Sequence, residues 1–156
     1  MKRIRAHLRD DRGVLAGADI LLFGLVGVIF TSLVIMNAWL AVDTSLAVSA
    51  AAREGARAAV ESADGPSART NAETAMRNVM GQYGRDIPGN LNVDITFSNG
   101  FVRCQPVTAN VGYRINLISL PLFGDLGSHT INATHTEIVD PFRSGTFTFD
   151  GAAGCP

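Results

Sequence analysis

Few side chains in this sequence of 156 residues are of a kind and spacing that could do chemistry. His129 and His135 stand six apart in a strictly alternating stretch, which puts them on one face of a strand. On an extended chain they are about 20 Å apart, too far to share a metal ion. The remaining histidine, His7, lies on the other side of a long apolar run. Cys104 and Cys155, with no clustered histidine, do not make a zinc site. In an oxidising compartment they could form a disulfide that ties the tail to the domain; two unpaired thiols are the alternative. No serine sits in a nucleophile-elbow pattern, no glycine-rich loop carries a phosphate-binding lysine, and the carboxylates are scattered. The expectation is a protein that is not an enzyme and takes no cofactor or metal. Asn132-Ala133-Thr134 matches a glycosylation acceptor, a triplet that often arises by chance.

One acidic group stands apart from this scatter. Asp19 is the last charge before Ile20–Val42, a run of 23 residues without a charged side chain. As a helix the run spans about 35 Å, enough to cross a hydrocarbon core of about 30 Å. A helix also satisfies its own backbone polar groups in lipid. Only Thr31, Ser32 and Asn37 interrupt its apolar character, so a soluble core helix with a polar face is a poorer reading. The run exceeds the apolar stretch of a cleaved secretory signal, about 7–15 residues, and reads as an anchor. A carboxylate at the edge of hydrocarbon needs water or a cation, and Asp19 is placed to have either.

Charge is distributed unevenly about this run. Lys2, Arg3, Arg5, Arg9 and Arg12 precede it, opposed by Asp10 and Asp11. From Asp43 onward there is no lysine, and acidic residues outnumber arginines. The basic flank predicts a cytoplasmic N-terminus and an extracytoplasmic C-terminal part. Beside a membrane helix the basic arm suits orientation or lipid contact better than nucleic-acid binding, and no nucleic-acid partner is expected.

Beyond the run, Asp43 to Glu61 is alanine-rich and continues as helix. Arg53, Arg57 and Glu61 share a face, and Glu54 and Glu61 can each pair with Arg57. Leu46, Ala47, Ala50, Val60 and the neighbouring alanines offer a smooth apolar surface, suited either to the protein's own domain or to neighbouring helices. The Gly65-Pro66 pair breaks the helix. Thr70 or Asn71 is placed to cap a second helix through about Tyr83, with Glu73 completing a capping box with Thr70. The remainder alternates as sheet. Strands are expected over 91–98, with Leu91, Val93, Ile95 and Phe97 on one face, then over 101–107 after an Asn99-Gly100 turn, over 111–118 and over 129–139. Residues 119–127 read as an apolar loop, and 140–156 as an irregular tail.

Three stretches together make the chain resemble the TadE-like family, the pilin-like minor proteins of bacterial tight-adherence (Flp-type) pili. They are Arg12-Gly13 followed by Asp19 at the head of the apolar helix; Ala51-Ala52-Arg53-Glu54-Gly55-Ala56-Arg57 at its outer end; and Val139-Asp140-Pro141-Phe142-Arg143 after the last strand. The second is the most specific. The resemblance implies that a prepilin peptidase cuts between Gly13 and Val14, removing the basic arm. It also implies that the long helix packs beside those of other pilin-like subunits, with Arg53, Glu54, Gly55 and Arg57 forming a helix-packing motif. Pilin-type sequences usually carry Glu five residues after the cut, with an aromatic next to it. Here the fifth residue is Ala18, the acid is Asp19 and Ile20 follows.

The expected architecture is therefore α+β and pilin-like: a cytoplasmic basic leader (1–13), a transmembrane helix (14–42), its extension (43–62) and an extracytoplasmic domain (63–156) with a small antiparallel sheet packed on the extension. The expected role is a minor pilus subunit partnered by other pilin-like subunits, the assembly machinery, the prepilin peptidase and membrane lipid. An uncleaved single-pass scaffold of a secretion complex is one alternative. A membrane-tethered ligand-binding module is another, with Phe142, Phe147 and Phe149 as its candidate contacts.

Overall fold

The computed structural model describes residues 11–117 and 127–140, with side chains from residue 19 onward. The chain divides into two units at the step from Trp39 to Leu40. Helix α1, Asp11–Val60, runs unbroken through 50 residues.

In the first unit α1 has nothing packed over most of its apolar side chains. Ile20, Phe23 and Trp39 are each more than two-thirds exposed. A helix apolar on every side must be covered by something other than water, and this one is long and apolar enough to cross a membrane. Its polar side chains turn back on the helix itself. Ser32 Oγ donates to Val28 O at 2.8 Å and Asn37 Nδ2 to Leu33 O at 3.0 Å. Each thus answers its need for a partner within the preceding turn.

The second unit is α+β. Helix α2 is Gly65–Gln82, and the strands are β1 (Leu91–Phe97), β2 (Pro106–Asn116) and β3 (Ser128–Ile138). They form an antiparallel meander in the order β1-β2-β3. Ala47, Val48, Ala51, Ala52, Ala56 and Ala59 of α1 are buried together with Ala68, Ala72, Met76 and Met80 of α2. The odd-numbered residues of β2, Val107 to Ile115, supply the sheet's share of this core. Leu91, Val93 and Phe97 pack partly buried against it, and Ile95 is fully inside.

Three sequence expectations need correction. Strands over 101–107 and 111–118 are not separate: one strand, β2, runs from Pro106 to Asn116 and pairs with β1 from Phe97↔Val107 to Leu91↔Tyr113. The Asn99-Gly100 pair therefore does not close a two-residue hairpin. Gly100 takes its positive φ of 83° inside a longer loop. That loop is tied to the chain after β3, where Cys104 N donates to Val139 O (3.0 Å) and Val139 N to Gln105 O (3.1 Å). Pro106, which lacks an N–H, opens the strand, where the ladder tolerates it.

The second correction concerns the start of α2. Asp64 is the N-cap, its Oδ1 accepting from Ser67 N at 2.8 Å, with Pro66 in the first turn. These bonds hold the Asp64 carboxyl below its usual pKa. Thr70 and Asn71 are already inside the helix, and Glu73 pairs with Arg77 rather than closing a capping box. Proline in a first turn costs no hydrogen bond, so the break at Gly65-Pro66 also begins the next helix. Third, Leu46 is 61% exposed and does not belong to the buried stripe of α1.

Gly55 is packed tightly against Met76. A Cβ there would overlap Met76 Cγ, come within 2.8 Å of Met76 Sδ and touch Ala109 Cβ at 3.5 Å. Gly55→Val should therefore destabilise the domain by about 1–3 kcal/mol through overpacking. Gly24→Ala, where a Cβ meets nothing within 4 Å, should leave stability unchanged. Denaturant unfolding of the full chain in detergent micelles compares the two.

Candidate functional site

Residues 43–61 hold the four residues of the expected helix-packing motif, Arg53, Glu54, Gly55 and Arg57. Alanine-rich helix has room on one face only for small contacts, and the domain uses that face. Gly55 and its alanine neighbours are buried. Of the two surfaces the sequence left open, this stripe serves the protein's own domain. Arg53 and Arg57 lie on the exposed side and Glu54 is half-buried. Arg57 Nε lies 3.2 Å from Glu61 Oε1 and 4.0 Å from Glu54 Oε2. Such exposed pairs contribute about 0–1 kcal/mol and mainly leave a charged stripe facing outward.

Where the apolar run gives way to this stripe, a clasp forms that the sequence did not signal. Arg85, just beyond α2, reaches back to α1. Its Nη2 donates to Asp43 Oδ2 at 2.6 Å, its Nε to Thr44 Oγ1 at 3.2 Å and its Nη1 to Tyr83 O at 3.1 Å. The Arg85 side chain is only 13% exposed. Gly84, at φ 67°, turns the chain out of α2 so that Arg85 can make this return, and Arg85 N itself donates to Met80 O. Asp43 and Arg85 are 42 apart in sequence, beyond any helical or strand periodicity.

Beside the clasp lies an open cleft of about 340 Å³, lined among others by Leu40, Tyr83, Arg85, Asn90, Arg114 and Asn116. Arg114 is exposed, and its Nε donates to Ser128 Oγ at 2.8 Å.

The sheet's other face is polar throughout its centre. Thr108 and Thr136 hydroxyls meet at 2.9 Å, and Thr134 Oγ1 donates to Asn110 Oδ1 at 2.9 Å. At the far edge Arg69 of α2 donates from Nη1 to the carbonyl of Ile95 at 3.0 Å, and its guanidinium stands 5.2 Å from the Phe97 ring centre.

The remaining sequence-derived sites fall as follows. Gly13 and Val14 are helical residues of α1, and Asp19 is exposed at the head of the apolar run. Cys104 is disulfide-bonded and takes a positive φ of 61°. Cys155, the three tail phenylalanines, the Pro141–Arg143 stretch and all of the 119–127 loop except Gly127 lie outside the described residues. His135 pairs with Glu137 at 3.5 Å. Among the described residues no group of three or more His, Cys, Asp or Glu could hold a metal ion. No family model, curated protein or solved structure matches the chain.

The clasp should behave as a coupled unit. Asp43→Asn and Arg85→Met should each lower stability, and the double variant should lose less than their sum. A coupling energy of about 1–2 kcal/mol is expected for a half-buried, charge-assisted pair. Additive losses in a double-mutant cycle would mean that the two side chains act independently.

Proposed function

We propose that the chain is a non-enzymatic, membrane-anchored, pilin-like minor subunit that assists assembly, initiation or surface display of a tight-adherence (Flp-type) pilus. The observation that carries this reading is the division of labour along α1. Its apolar part is bare, whereas the part from Ala47 to Ala59 is clad by its own small domain. A bare apolar helix is suited to exchanging one apolar environment for another, lipid for the helices of neighbouring subunits.

The domain's dependence on α1 favours this reading over a tethered binding module. Six of its buried core residues come from the 47–59 part of α1, the stretch on which a pilin-like domain is expected to lean. With the basic arm inside the cell, the domain faces out. The partners are then other pilin-like subunits, the assembly machinery, a prepilin peptidase and lipid.

Cleavage between Gly13 and Val14 would create a positively charged amine at the edge of hydrocarbon, five residues from Asp19. A carboxylate on a neighbouring subunit neutralises such an amine when both are partly desolvated, and each lowers the cost of burying the other.

The test is the mass and N-terminal residue of the protein isolated from native membranes. The expected mature chain starts at Val14, and Asp19→Ala should abolish or strongly reduce its incorporation beside partner subunits while leaving cleavage intact. An intact N-terminus in cells with an active peptidase would replace the pilin mechanism by an uncleaved scaffold.

A further inference from the structure

The apolar run ends inside the second unit. Leu40, Ala41 and Val42 are its last residues, and Asp43 is the first charge beyond it. The edge of the hydrocarbon therefore falls at a level that this unit's own contacts define. Leu40 lines a cleft together with Tyr83, Gly84, Arg85 and Asn90. Arg85 is bonded to Asp43 and Thr44. The connection from α2 to β1 thus leaves and rejoins the cleft wall beside the last residues of the run.

This connection is held at both ends. Arg85 ties it to α1, and Asn90 O accepts from Arg114 N of β2 at 2.9 Å. Between these points Ile87 O accepts from Asn90 N at 3.1 Å and from Leu91 N at 3.3 Å, which closes the turn. Its charged groups are paired, Arg85 with Asp43 and Asp86 with Arg77. Its apolar groups are not covered: Tyr83 is 43% and Ile87 46% exposed. Among the described residues beyond α1, the other exposed large apolar side chains are Val102 and Ile138. Ile138 stands at the opposite end of the sheet. Asn116, paired with Ser128, lines the cleft, whereas Ile138 is paired with Pro106, roughly 33 Å away along β2. Tyrosine is enriched at the depth of lipid headgroups, where its ring is in an apolar setting and its hydroxyl stays wet. An isoleucine at the same depth gains by leaving water.

We propose that the turn from Tyr83 to Asn90 rests on the bilayer, with Tyr83 and Ile87 at the boundary between lipid headgroups and acyl chains. The proposal rests on α1 crossing a membrane. The partner is the lipid surface itself, met through apolar contact. The Asp43–Arg85 clasp acts through position: it holds the turn at the level where the apolar run ends.

The full chain is reconstituted into phosphatidylcholine vesicles, with and without phosphatidylcholine brominated near the glycerol end of its acyl chains, and tryptophan emission is recorded. Trp39 is the single native tryptophan and reports on α1. In a Trp39→Phe background, Ile87→Trp should lose about half or more of its emission to the brominated lipid, as a ring at headgroup depth does. Tyr83→Trp, a second reporter on the same turn, should behave alike. Ile138→Trp should keep its emission. Denaturant unfolding unchanged from the Trp39→Phe background shows that each reporter chain is folded.

If Trp39 is quenched in the native chain while Ile87→Trp and Tyr83→Trp are not, the membrane reading stands and the resting turn is wrong. Equal quenching of Ile87→Trp and Ile138→Trp also overturns it, because the contact is then not confined to this turn. An unquenched Trp39 removes the membrane reading and the proposal with it.

Discussion

Everything in the outer unit depends on how thin α1 is between Ala47 and Ala59. A three-stranded sheet and an 18-residue helix have too little apolar surface of their own to close a core. They close it by lying against a helix whose inward side chains are mostly methyl groups and, at Gly55, a hydrogen. Met76 fills the space that Gly55 vacates, and Ala109 meets it from the sheet. Larger residues on α1 would hold the three elements apart, and larger residues on β2 would do the same from the other side. The alanine content that makes this stretch a strong helix former is also what lets the domain exist.

That economy explains why the helix is continuous. A break near Val42 would separate the apolar run from the scaffold of the domain. Thr44 sits at this junction fully buried, its hydroxyl returned to Leu40 O at 2.7 Å and accepting from Arg85. The junction is thereby satisfied from two sides, by α1 itself and by the chain leaving α2. A single guanidinium links the two helices where the character of α1 changes from uniformly apolar to one-sided.

What was legible in the sequence was what depends on local periodicity. The apolar run, its alanine-rich continuation, the apolar face of β1 and the extent of β3 all follow from spacing, and the structure has each within a residue or two. Harder to read was what depends on partners far along the chain. The Asn99-Gly100 pair carries a strong turn signal, but β1 chooses its register by matching Leu91, Val93, Ile95 and Phe97 to the odd residues of β2, and that match requires Val107 opposite Phe97. The turn then lies in a loop whose ends are set by Pro106 and by the pairing of Cys104 and Gln105 with Val139. At α2 the cap expected at Thr70 or Asn71 gave way to Asp64, because Pro66 fits a first turn and Ser67 supplies the amide. The Arg85 clasp left no trace in spacing at all.

The contact between Arg69 and the carbonyl of Ile95 has a consequence for self-association. An edge strand such as β1 is a standing invitation to pair with its twin, and pairing of that kind propagates. Arg69 plugs one acceptor of that edge and places its charge over Phe97, where an incoming strand would have to strip it of water. A long polar side chain from α2 thereby occupies an acceptor that an added strand would need.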